Sequence, residues 1–165
     1  MTSPSYPTAR YEGDGGLVNA WLRPADAEPE VRYRNGGTAQ YLATGSSTGG
    51  LFGLYRWNMS PAVSGPDPHF HRSIAEAFFV IAGTIRSYDG TKWLDTKPGD
   101  FLYVPEGGIH GFRNESGQDA SMLILFAPGA PREDYFETLA RVSEGMTMTD
   151  EERAAFMIRH DTFWV

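Results

Sequence analysis

The sequence contains no cysteine, which removes disulfides, thiolate nucleophiles and every zinc or iron–sulfur site built on sulfur. Any metal must therefore rest on imidazole and oxygen. Basic clusters are also missing: 14 Lys and Arg stand against 21 Asp and Glu, a formal net charge of −7. That balance repels phosphate backbones and anionic headgroups, so neither nucleic acid nor a membrane surface is an expected partner. No apolar run approaches the ~20 residues of a membrane-spanning helix. The opening MTSPSYPTARYEGDGG lacks the basic start and apolar stretch of a secretory signal, and a cytoplasmic protein is expected.

What is present fits one domain. At 165 residues and 41% hydrophobic content the chain can bury a sizeable core. Residues 1–37, rich in Pro, Gly and charge, predict an extended arm with short strand pieces at 17–22 and 31–33, frayed over its first ten residues. Strands are predicted at 38–44, 51–59, Ala75–Ala82, Phe101–Val104, 110–114 and Ala120–Ala127, with a hairpin about Asp89-Gly90 between the third and fourth. GSSTGG (45–50) lacks the phosphate-loop pattern and reads as a turn. Short strands separated by Gly and Pro predict an antiparallel barrel or jelly roll over 38–128. Residues 129–165 predict two short helices packed on it. The first is opened by Pro131, with Tyr135, Phe136, Leu139 and Val142 as its apolar stripe and Arg132, Glu133, Asp134 and Glu137 as its wet face. The second starts at a Thr149–Glu152 capping box and ends near Arg159, leaving His160 on the surface.

Three of the four histidines fall between 69 and 114. In a strand, side chains two apart share a face, so His69 and His71 can converge on one ion. Glu76 can join them from a following strand and His110 from a neighbouring one. Three imidazoles and a carboxylate suit Fe, Mn, Co, Ni, Cu or Zn as the divalent ion. Trp57, Phe78, Tyr103 and Phe112 lie on strands beside these residues and are candidate lining for a flat apolar guest, or else simply filling for a small barrel. Asp67 and Arg72 flank the first histidines, as orienting groups or as solvated loop charges.

These residues resemble the cupin family. His69-Phe70-His71, Glu76 and Gly83 match the spacing of the family's first motif, and Gly99, Pro105, Gly107, His110 and Asn114 match its second. The glycine expected six residues before the first histidine is replaced by Val63, with Gly65 close by. The resemblance implies an all-β double-stranded β-helix with His69, His71, Glu76 and His110 as ligands to one divalent transition metal at its centre, and no organic cofactor. Length and paired C-terminal helices are similar to bacterial single-domain cupins of the flavonol (quercetin) dioxygenase type. That likeness implies a metal-dependent dioxygenase acting on a small phenolic or enolisable substrate, with Glu76 as general base once desolvation raises its pKa. The alternatives are a non-oxidative isomerase, cyclase or lyase, and a metal-holding binding protein without turnover. Ala75–Ala82 and Ala120–Ala127 are apolar on both faces, which predicts a homodimer through sheet packing with the arm.

Overall fold

A computed structural model describes residues 5–165. It is dominated by eleven β-strands with two helices near the end, as the strand pattern implies. Val31–Arg32 (β1), Thr38–Ala43 (β2), Gly53–Met59 (β3), Ala75–Ala82 (β5), Phe101–Val104 (β8) and Ala120–Ala127 (β10) form one antiparallel sheet in the order β1-β2-β3-β10-β5-β8. Ile85–Tyr88 (β6), Trp93–Thr96 (β7) and Gly111–Arg113 (β9) form a second, in the order β7-β6-β9. His69–Phe70 (β4) pairs with Phe163–Trp164 (β11), and backbone bridges His69↔His110 and Ser64↔Asn114 tie this ribbon to the start of β9.

Alternation decides which side chains fill the barrel. On β5, Glu76, Phe78 and Val80 are buried while Phe79 is exposed. Across the barrel wall Tyr55, Met122, Ile124 and Phe126 are almost inaccessible, each burial contributing about 1.5–3 kcal/mol. The motif glycine missing at position 63 has a functional counterpart in Gly65. Its φ of +133° is open only to glycine, and a Cβ there would lie 2.0 Å from the Phe112 carbonyl oxygen. The loop can therefore press against β9 on its way to His69.

The helices are Glu133–Ser143 (α1) and Asp150–Arg159 (α2). The capping box forms, with Thr149 N donating to Glu152 Oε2 at 2.8 Å and Glu152 N to Thr149 Oγ1 at 3.2 Å. Phe136 packs edge-on against Tyr55 and Trp57, at 5.1 and 5.0 Å between ring centroids. Tyr135 stacks on Phe156 at 5.4 Å and joins the two helices.

Four expectations are corrected. The strand piece at 17–22 does not form: the stretch finds no sheet edge, and Leu17, Val18 and Leu22 are exposed. The segment is tied to the sheet where Arg23 meets Glu30, whose carboxylate also accepts from Tyr41 N of β2 at 2.8 Å. Pro131 does not open α1, because a turn from Arg132 N to Ala130 O makes Arg132 the N-cap. Arg132 is not on a wet face but only 4% exposed. Nor is His160 a surface residue: its ring packs on Phe156 and Tyr135 and meets Asp134 Oδ2 at 3.1 Å.

Candidate metal centre

β4 ends in the turn that carries His71, and β5 begins with Ala75 and Glu76, so a tight reversal brings the first three site residues together. His110 is delivered by the two-way bridge with His69, whose backbone N–H···O contacts are 2.9 Å in each direction. His69, His71, Glu76 and His110 are all buried, and each offers a ligand atom within 4.8 Å of the others. This is a possible four-residue metal site.

The donor set fits a divalent transition ion, because every ring is turned by its own carbonyl partner. His69 Nδ1 faces Asp67 O at 2.8 Å, His71 Nδ1 faces Asp161 O at 2.6 Å, and His110 Nδ1 faces Gly108 O at 2.9 Å. A carbonyl can only accept, so each Nδ1 carries the proton and each Nε2 is directed inward. Outer contacts of this kind fix tautomer and ring angle in metal sites generally.

Electrostatics in the metal-free protein follow from this packing. Burial pushes the His69 imidazole down to about 4, helped by the neighbouring His110 charge. Burial also acts to lower His110, but its hydrogen bond and attraction to Glu76 outweigh it and hold the ring above its ordinary value. Desolvation alone would raise Glu76. The contacts from His110 at 2.7 Å and His71 at 3.1 Å dominate and hold the carboxyl well below the usual range. The desolvation-driven rise expected for Glu76 is thus reversed, and the group is ionised.

A cavity of about 310 Å³ opens onto His69, His71 and Glu76 and has mainly apolar walls that include Trp57, Phe112 and Phe126. Phe78 packs beside His110 and Phe112 in the barrel interior, at 5.8 and 5.6 Å between centroids. Tyr103 does not belong here. Glu76 pairs with Val104 and Ala77 with Tyr103, so Tyr103 shares the outward phase and is 58% exposed. The Asp67 carboxylate and the Arg72 guanidinium make no contact with the imidazoles. Asp67 pairs with Arg113, and Arg72 lies over Phe163 at 4.2 Å.

Three contributors had no signal in the sequence. Asp161 supplies the His71 carbonyl partner from 90 residues away. Trp164 lies tilted against His69, at 5.3 Å between ring centroids, and reaches the cavity. Arg132 lines the same cavity.

Residues 55–126 match the cupin domain family. The quercetin 2,3-dioxygenase of Bacillus subtilis (strain 168) is 30% identical over 86 residues, 52% of this chain and 25% of that protein; the match therefore spans only a quarter of that relative. In fold, the chain is similar to KdgF from Halomonas sp., with a TM-score of 0.58 and 16% identity, covering 70% of this chain and 99% of that one. It is also similar to the polyketide cyclase RemF from Streptomyces resistomycificus, with a TM-score of 0.55 and 24% identity, covering 68% and 80%. At these identities the likeness is one of fold.

Proposed function

Taking residues 55–126 as a cupin domain, we propose that the protein is a metal-dependent oxygenase acting on a small phenolic or enolisable compound. The observation that carries this reading is the buried cluster of four ligand atoms within 4.8 Å, opening onto an apolar cavity. A divalent ion held by His69, His71, Glu76 and His110 would polarise a chelating enolate and, if redox-active, supply the electron exchange that dioxygen chemistry needs. The chain's own residues do the rest. The Asp67, Asp161 and Gly108 carbonyls keep the three Nε2 atoms turned inward. Glu76, ionised and buried, is suited to hold the ion, while a carboxyl held so far below the usual range is a weak base for a substrate hydroxyl. Trp57 and Phe112 give the cavity apolar walls that suit a flat guest and exclude water.

The relative's activity on quercetin agrees with this reading but is a property of a protein four times the matched length. A second reading, non-oxidative isomerisation or cyclisation, rests on the same four-ligand cluster, since a Lewis-acidic ion with no redox change suffices for it. Metal analysis of wild type and His110→Ala, followed by oxygen uptake with flavonols and catechols, separates the two. About one redox-active ion per chain, lost in the variant, with uptake by the loaded protein supports the oxygenase. Zinc alone and no uptake with any of these ions moves the assignment to the second reading. No metal even after reconstitution sinks both.

The partners we propose are this small molecule and a second copy of the chain. Phe79, Phe101 and Tyr103 stand exposed on the outer face of β5 and β8 beside Leu123 and Leu125. β8 also ends its sheet. An apolar face beside a terminal strand suits a twofold contact in which each copy covers the other.

A further inference from the structure

Arg132 is a buried cation without a charge partner. It is 4% exposed, and among the described residues no carboxylate lies within ion-pair distance of it. Its Nη1 donates to His160 O at 2.6 Å, and its Nε has no hydrogen-bond partner. The guanidinium carbon lies 4.2 Å from the Tyr135 ring centroid, 5.1 Å from Phe126 and 5.8 Å from Phe136. Stacking on three rings offsets part of the cost of burying the charge but leaves the charge itself unmatched.

This cation opens onto the cavity that reaches His69, His71 and Glu76. Phe126 links the two. Its ring lies 6.4 Å from the His71 ring, and its backbone pairs with Glu76 across β10 and β5. The cavity's other arginine, Arg153, is exposed at the edge. Arg132 and the ligand cluster line the same cavity, so a compound that chelates at the cluster shares that space with the guanidinium.

Resting on the reading above, we propose that Arg132 receives a carboxylate of the substrate, so that the substrate class is a phenolic or enolisable carboxylic acid rather than a neutral phenol. A single guanidinium balances one negative charge, and its planar donors match a carboxylate's two oxygens. A phosphate, with up to two charges and three acceptor oxygens, would be under-served by it. Arg132 on this account binds and orients. A purely structural arginine tethering His160 O would confer no preference among anionic and neutral ligands.

The test is calorimetric binding of 3,4-dihydroxybenzoate and 4-methylcatechol, which share the chelating hydroxyls and differ in the carboxylate. Both are titrated into wild type, Arg132→Gln and Arg132→Lys, each zinc-loaded and metal-free, with thermal melting to check folding. Wild type is expected to favour the carboxylate probe by about tenfold or more, the scale of a charge-assisted hydrogen bond. Arg132→Gln keeps a donor for His160 O and should lose the preference; Arg132→Lys should keep part of it. Equal wild-type affinity for the two probes, a preference that survives in Arg132→Gln, or binding of neither probe overturns the proposal. Failure of the metal reading looks different: affinity for both probes is then unchanged by zinc while the Arg132-dependent preference stands.

Discussion

His110 Nε2 lies 2.7 Å from Glu76 Oε2 while its Nδ1 donates to Gly108 O at 2.9 Å. Two lone pairs cannot face each other at that distance, so a proton lies between ring and carboxylate. In the metal-free protein the pair is an imidazolium against a carboxylate, in keeping with the upward shift of one and the downward shift of the other. A cation entering the site takes the place of that proton. Zinc titrations near neutral pH, in buffers of different ionisation enthalpy, should show release of about one proton per ion bound. Heats that are independent of the buffer would mean that no proton sits there.

The acid stability of the metal-free protein should depend on His69. Its ring is held neutral down to about 4, against an ordinary value of 6.5. Between those values the unfolded chain binds a proton that the folded one refuses. Stability therefore rises with pH across that window, by up to about 3 kcal/mol. Glu76, depressed in the folded state, contributes in the same direction: its stabilisation is present above the ordinary carboxyl value and lost as pH falls through the folded value. His110, raised, acts oppositely, with stabilisation complete below the ordinary imidazole value and lost as pH climbs through the folded one. Melting temperatures should thus peak near the ordinary imidazole range. His69→Gln should flatten the acid limb, and an unchanged limb would remove His69 as its cause.

Asp161 holds the His71 ring with its carbonyl and the turn beneath with its carboxylate, which accepts from Arg72 N at 3.0 Å and Ser73 N at 2.8 Å. Its φ of +52° is one that aspartate and asparagine tolerate better than alanine does. Asp161→Ala is expected to cost about 2–3 kcal/mol from backbone strain and unmet donors. It should also weaken metal binding about 10–100-fold by loosening His71. Asp161→Asn should retain most of both. Denaturant melts and competition with a chelator measure the two effects separately, and an alanine variant with native metal affinity would remove Asp161 from the site.

The proposed dimer face makes a solution prediction. Phe101→Asp combined with Tyr103→Asp places two like charges on each copy's exposed outer face, where they repel across a twofold contact. The folded double variant should sediment as a monomer at micromolar concentration where wild type sediments as a dimer, with metal content unchanged. A monomeric wild type would leave that surface without the proposed partner.

Much of this was legible because the barrel's alternation is strict. Period two alone places His69 with His71 and Glu76 with Phe78, and two glycine- and proline-rich turns fix when His110 arrives. The errors share a cause, which is that phase between separate strands is set by pairing and not by local pattern. Tyr103 looks no different from Leu102 until the Glu76↔Val104 register decides which faces inward. Arg132 sits among acidic neighbours that do face water, as Asp134 and Glu137 show. Its N-cap backbone, however, lies before the helical period begins and turns the side chain under Tyr135. Asp161 acts on His71 through its backbone carbonyl, a group that every residue has and no side-chain pattern reveals.

The reach of that carbonyl has a consequence in time. His69, His71, Glu76 and His110 lie within 42 positions of one another in the chain, yet His71 is oriented from Asp161 and His69 is flanked by Trp164. Closing that longer loop costs only slightly more entropy than closing the one between His69 and His110, but it is a separate event from closing the barrel. A nascent chain whose barrel has closed but whose last turn has not docked would hold the ligands without their final alignment. Tight metal capture should then follow the docking of that turn, so the rate of metal uptake during refolding clocks the last folding event and not the first.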